Sequence, residues 1–196
     1  RNGKPLLTGA ALALVVVFGW QAWKKYQNNQ AQGASVVYQA LLETALNPTG
    51  KPDTARVAEL ANKLTSEYAG TSYAQYGRLF VAKVAVDNGK LDDAVLELKA
   101  IVDKPVDTTL GELARQRLAR VMGAQGKSEE ALKLLDGNVE KAYVATREEL
   151  RGDLLVQLKR EDEARTAYEK AKAALPEDAA VGALQMKLDD LAKGDA

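Results

Sequence analysis

Three stretches of the chain align on one pattern: Gly89-Lys90-Leu91-Asp92-Asp93-Ala94, Gly126-Lys127-Ser128-Glu129-Glu130-Ala131 and Lys159-Arg160-Glu161-Asp162-Glu163-Ala164. Their alanines lie 37 and 33 residues apart. Four residues after each alanine stands a large side chain, Leu98, Leu135 or Tyr168. Twelve residues before it stands a small one, Ala82, Ala119 or Gly152. Self-similarity at this period marks a stack of supersecondary units, none of which can bury its apolar face alone. Small residues at two places let paired helices touch, and the large residue fills the groove beside them. Pro105 and Pro176 follow where the second helix of a unit should end.

Beyond Lys25 no alternating, strand-like pattern persists, and apolar residues recur at helical spacing. Breakers divide the chain into expected helices over 24–46, 53–67, 72–88, 91–103, 109–124, 128–136, 141–158, 161–174 and 178–193. Asn47-Pro48-Thr49-Gly50-Lys51-Pro52 is a turn cluster. Thr109 followed by Glu112 reads as a capping box. The repeat resembles the tetratricopeptide pattern, a helix–turn–helix unit of about 34 residues. Three degenerate copies cover 75–176, and 24–46 with 53–67 form an earlier, poorly matching hairpin. In the last segment Val181, Leu184, Leu188 and Leu191 are expected to face the last repeat, and Lys187, Asp189, Asp190 and Lys193 to meet water.

The N-terminal segment is of another kind. Pro5 to Trp23 holds 19 uncharged residues, about 28 Å as a helix and close to the roughly 30 Å of a bilayer core. Trp20, Trp23 and Tyr26 follow the apolar run, with Lys24 and Lys25 among them. Such aromatics favour the headgroup level, and lysines there can snorkel. A cleavable signal would need small residues soon after the run, where this chain has bulky and charged ones. A buried core helix would rarely be apolar all round and then end in an aromatic–lysine collar. The reading is therefore a retained anchor in the lipid bilayer. Gly9 and Ala13 form a small-xxx-small pair that permits close helix packing there, with Trp20 beside it. Two positive residues on either side leave orientation undecided.

Composition narrows the chemistry. The chain lacks Cys and His, which excludes thiol and His-dependent nucleophilic catalysis and the usual zinc ligands. Lys+Arg and Asp+Glu are each 27. Four of the basic residues fall in 1–33, which has no acid, so the remainder carries 23 basic against 27 acidic groups. That mild acidity disfavours nucleic acid as a partner. Gly126-Lys127-Ser128 has Val121 where a phosphate loop needs glycine, and a helix precedes it. Acidic pairs such as Asp92-Asp93 and Glu129-Glu130 sit at helix starts, where they complement the helix dipole. No enzyme, cofactor or metal is expected; a hydrolase built on carboxylates alone is the residual enzymatic alternative.

The remaining function is protein binding. In tetratricopeptide stacks the first helix of each pair lines a concave groove. That rule points to Tyr76, Leu79 and Lys83, then Gln116 and Arg120, then Glu149 and Asp153. Tyr73, Tyr76 and Phe80 suit an extended apolar segment, or equally a core against the preceding hairpin.

The order of several short motifs is familiar. They are Gly19-Trp20 with Trp23, Ala34-Ser35, Tyr38-Gln39, Arg117-Leu118-Ala119-Arg120-Val121, Ala131-Leu132-Lys133 with Leu135-Asp136, Leu150-Arg151-Gly152, Ala164-Arg165 and Gln185-Met186-Lys187. Together they resemble the ancillary subunit of the bacterial SecYEG translocon, the YfgM family, nearly end to end. Residue 1 is Arg rather than Met, so further sequence is expected upstream, where the acidic N-terminal tail of that family would lie. The resemblance implies an all-α protein: one transmembrane helix, then a right-handed α-solenoid of tetratricopeptide-like helix pairs. It assigns 1–4 to the remnant of a cytoplasmic tail, 5–25 to the anchor and 26–52 to a membrane-proximal helix and turn. The repeats take 53–177, and a capping helix and tail take 178–196. It further implies an inner-membrane protein with a periplasmic repeat domain. The implied partners are the SecYEG translocon, the membrane-anchored chaperone PpiD and unfolded or newly translocated chains, which it would pass to periplasmic chaperones. The alternative is a cytoplasm-facing scaffold that recruits soluble partners to the membrane.

Overall fold

The computed structural model describes residues 3–46, 53–176 and 179–194, with side chains described for 12–46, 53–176 and 179–192. Every regular element among the described residues is a helix, and none of them forms a strand. The chain divides into two compact units, 1–80 and 81–196. The expected turn at Asn47–Pro52 lies outside the described residues, and at Gly9 only the backbone is described.

In the first unit α1 (Gly3–Ala45) is one uninterrupted helix of 43 residues, about 65 Å long at 1.5 Å per residue. It runs through Lys24-Lys25 and Gly33 without a break, so the segments 5–25 and 26–46 share one rod. Its two halves have opposite surroundings. Leu12, Val15, Val16 and Phe18 are each more than 60% exposed, as are Trp20 and Tyr26. From Ala34 onward one stripe, Ala34, Val37 and Leu41, is buried. Against it packs α2 (Thr54–Glu67), which buries Val57, Leu60, Ala61 and Leu64 at helical spacing. Asp53 caps α2 by accepting from the Arg56 N–H at 3.0 Å. The Tyr68 ring lies flush on Gly33, where a Cβ would come within 2.8 Å of it. Gly77, on α3 (Ser72–Asp87), likewise brings that helix against Leu64 and Ala61. This is the early hairpin expected from the sequence.

The second unit begins within α3 and continues through α4 (Leu91–Asp103), α5 (Thr108–Ala124), α6 (Ser128–Leu134), α7 (Lys141–Gln157), α8 (Glu161–Ala174) and α9 (Gly182–Gly194). The aligned sequence stretches are three copies of one turn. Gly89, Gly126 and Lys159 adopt positive φ of 72°, 77° and 59°. The next amide in each reaches back five residues: Lys90 to the Ala85 carbonyl, Lys127 to Met122 and Arg160 to Leu155, at 2.8–2.9 Å. This left-handed cap satisfies carbonyls that the ending helix leaves open. Each following helix then starts with acidic residues at its positive end.

The small and large positions meet as expected. Ala82, Ala94, Ala119, Ala131 and Ala164 are buried, and so are Leu98, Leu135 and Tyr168. Gly152 shows why a ring can replace leucine in the last copy: a Cβ there would lie 2.2 Å from Tyr168 Cε1. Leu150, Leu154, Leu155, Ala167, Ala171, Leu184 and Leu191 join Ala119, Ala131, Leu135, Ala164 and Tyr168 in one core.

Five sequence expectations are corrected. Helix α5 starts at Thr108 under Asp107, which accepts from the Leu110 N–H at 2.7 Å. Thr109 and Glu112 form no box, because Thr109 accepts from the Tyr143 hydroxyl and Glu112 turns to Arg147. Helix α6 stops at Leu134, short of 136, because two arginines of α7 take the carbonyls beyond its end. Val181 precedes α9 and is exposed, while Lys187 is half-buried in an ion-pair cluster.

Candidate protein-binding surface

The first helices of the pairs, which the sequence nominated, hold two polar clusters in the second unit. The deeper one joins α5 to α7. Arg147 is 3% exposed and Glu112 7%. The guanidinium grips the carboxylate with two N–H groups, Nε donating to Oε1 at 2.9 Å and Nη2 to Oε2. Gln116 Nε2 donates to the same carboxylate at 2.9 Å. Arg147 Nη1 also donates to the Leu135 and Gly137 carbonyls, and Arg151 Nη2 to Leu135. These bonds satisfy the frayed end of α6, whose chain reverses at Gly137 with φ 88°. Burial alone would raise the Glu112 carboxyl. The bonds from Arg147 and Gln116, with the charges of Arg147 and Arg115, outweigh it and hold the group below the usual carboxylate range. A cleft of about 270 Å³ opens beside this pair, lined by Pro105, Gly111, Arg115 and Tyr143 among others.

The second cluster lies where α9 meets α7 and α8. Lys187 Nζ donates to Glu149 Oε1 at 2.7 Å and to Asp153 Oδ1 at 2.6 Å. It stands 5.5 Å from the centre of the Tyr168 ring. The Tyr168 hydroxyl donates to Asp153 at 2.8 Å. Burial raises that phenol well above its usual range, reinforced by Asp153 and Glu149. Glu149 and Asp153, nominated for a groove, are thus brought together and held by the chain's own last helix.

The other nominated residues differ among themselves. Gln116 is buried on Glu112. Arg120 is exposed. Lys83 is exposed and pairs with Asp87 at 2.6 Å, a contact of small energy at a surface. In the first unit Leu79 is buried, and Tyr76 is half-buried with its ring 5.6 Å from that of Tyr38. Tyr73 lies 5.4 Å from Tyr38 on the same cluster, so these aromatics pack on α1. A second groove, about 380 Å³, runs along α6, α7 and α8 among Lys133, Glu148, Arg151, Arg160, Glu163 and Lys170. Sequence reasoning did not point to it.

The acidic helix starts have structural partners. Asp92 accepts from Gln125 across 33 residues, and Glu129 from Arg160 across 31. With Tyr143–Thr109 at 34 and Arg147–Glu112 at 35, bonds between neighbouring units recur at the repeat period. Among the described residues no group of three or more acidic side chains is placed to hold a metal ion.

Stacked helix pairs with this turn define a tetratricopeptide-type protein, and the profile described as a tetratricopeptide repeat-like domain matches residues 1–193. Relatives are more specific. The chain is 31% identical over 97% of its length to the ancillary SecYEG translocon subunit of Escherichia coli (strain K12), covering 90% of that protein. To the protein of that name in Neisseria gonorrhoeae (strain ATCC 700825 / FA 1090) it is 33% identical over 92% of its length, covering 87%. The Aggregatibacter actinomycetemcomitans protein is 30% identical over 88% of the chain and is covered over 82%. The chain belongs to the ancillary SecYEG translocon subunit family.

Proposed function

We propose that this chain is a non-enzymatic adaptor, anchored in the bacterial inner membrane by 5–25, that works at the SecYEG translocon. Its N-terminus is cytoplasmic and its repeat domain periplasmic. There it receives newly translocated, unfolded chains and passes them to periplasmic chaperones, with the membrane-anchored PpiD as a partner. The observation that carries the reading is α1. Its apolar residues from Leu12 to Phe18 are exposed on every side, and the same helix enters the folded hairpin at Ala34. A contiguous exposed apolar surface of this kind marks a membrane or partner contact. Among the described residues no helix is long and apolar enough to cross a membrane; part of the anchor, 5–11, lies outside the described side chains. The names of the relatives support the translocon as partner.

Of the nominated groove residues, client contact is assigned to Tyr76, Lys83 and Arg120; Leu79 and Gln116 are buried, and Glu149 and Asp153 are engaged by Lys187. Packing in the bilayer is assigned to Gly9, Ala13 and Trp20. Photo-crosslinkers at Tyr76 and Arg120 of the full-length protein, in cells exporting protein, test this. Adducts with translocon subunits, chaperones or nascent chains are expected. Adducts with lipid or self alone contradict it.

A further inference from the structure

The spacing of the buried stripe of α1 continues beyond the folded hairpin. Ala34, Val37 and Leu41 are spaced three and four residues apart and lie buried in the first unit, where α1 meets α2. Continuing that spacing toward the N-terminus gives Gln30, Gln27, Trp23 and Trp20 without a slip. A 3-4 spacing held over this length is the signature of a helix–helix seam. In the upper half no described residue covers the seam. Trp20 and Trp23 are 61% and 54% exposed, with their rings 5.4 Å apart. Gln27 is exposed, and Gln30 donates to the Tyr26 hydroxyl of its own helix at 3.2 Å. The other faces of the same stretch carry Lys25, Asn28, Asn29 and Gln32. A polar, exposed helix of this length has little stability of its own.

We infer that the seam Trp20–Trp23–Gln27–Gln30 is the docking face for a helix of a different protein, one with small residues opposite the two indoles and an amide or hydroxyl opposite Gln27 and Gln30. Continuity with the α1–α2 interface sets the register. Volume sets the kind of partner. A second copy would place four indoles in two adjacent layers, too much for helices about 8–10 Å apart. Small residues let a partner backbone approach closely beside them. Charge agrees: the seam carries none from Trp20 to Leu41, and Lys24 at its edge matches an acidic flank on the partner. The inference rests on the translocon reading and names the chemistry of one contact within it.

The test places a photo-crosslinking residue singly at 20, 23, 27 and 30, and at 25, 28, 29 and 32, in the full-length protein in native membranes. Adducts with one other protein are expected at the first four positions and not at the second four. Gln27→Arg, which puts a charge in the seam, should lower the adduct yield at position 23 about tenfold, and Asn29→Arg should leave it unchanged. Equal labelling round the helix, lipid adducts alone, or an adduct of two copies overturns the inference. Copurification of the translocon is followed in parallel. Translocon recovered without periodic adducts removes this inference and leaves the proposed function; periodic adducts with a protein that is neither a translocon subunit nor a chaperone, and no translocon recovered, do the reverse.

Discussion

The Glu112 carboxylate is buried between Arg147 and Gln116 and held below the usual carboxylate range. Its contribution to stability is therefore present above the unfolded-state value of 4.5 and is lost as pH falls through the lower, folded value. Urea unfolding of the wild type should show that loss at acid pH. Glu112→Gln should flatten the acid limb and cost about 3–5 kcal/mol at neutral pH, because it leaves Arg147 charged, buried and uncompensated. A cost below 1 kcal/mol would contradict the account of the pair. Gly152 supplies a second residue-scale prediction. Gly152→Ala forces a methyl into the Tyr168 ring and should cost about 1–3 kcal/mol. Adding Tyr168→Leu rebuilds the Ala119–Leu135 combination of the preceding unit and should recover part of that cost relative to Tyr168→Leu alone. Additive losses would show that the two positions do not couple.

At the scale of elements, the three turns make Lys159 the odd residue. It holds φ 59° where its counterparts are Gly89 and Gly126. The left-handed region costs an L-residue about 1–2 kcal/mol, and glycine's extra unfolded-state freedom offsets about 0.4–1 of that. Lys159→Gly should raise unfolding free energy by roughly 0.5 kcal/mol, and Gly126→Lys should lower it by a similar amount. Helix α9 is pinned by Lys187 as well as by Leu184 and Leu191. Lys187→Ala should loosen it by about 1–2 kcal/mol, read as amide exchange about 5–30-fold faster across α9. Unchanged exchange there would show the apolar contacts suffice. The segmentation of the second unit was legible in the sequence because a glycine or lysine followed by a basic and then acidic residues marks three turns, 37 and 33 residues apart. The roles of Glu112, Glu149 and Asp153 were not. Thr109-to-Glu112 has the spacing of a capping box, and nothing local reveals that the partner sits 35 residues away. Opposite charges one repeat apart were the available signal: Glu112 with Arg147, and Glu149 and Asp153 with Lys187 at 38 and 34. The continuity of α1 was obscured by Lys24-Lys25, which close the apolar run and open the expected helix 24–46. Gly33, inside that expected helix, is the landing place of the Tyr68 ring.

For the whole molecule, the apolar run was legible from its length and its aromatic–lysine collar, whereas the compartment of the repeats was not, because equal charge flanks it on both sides. One rod carries both the exposed apolar residues and the first packed stripe, so the first hairpin sits at a fixed distance along α1 from its apolar half: Lys25 to Ala34 is about 14 Å of helix. The account therefore turns on the side of the membrane that holds the repeats. Fusing reporters to the C-terminus of the full-length protein measures this directly. A phosphatase active only outside the cytoplasm should be active there, and a reporter that matures only in the cytoplasm should be silent. The opposite pair of signals would contradict the account and establish a cytoplasm-facing scaffold in its place.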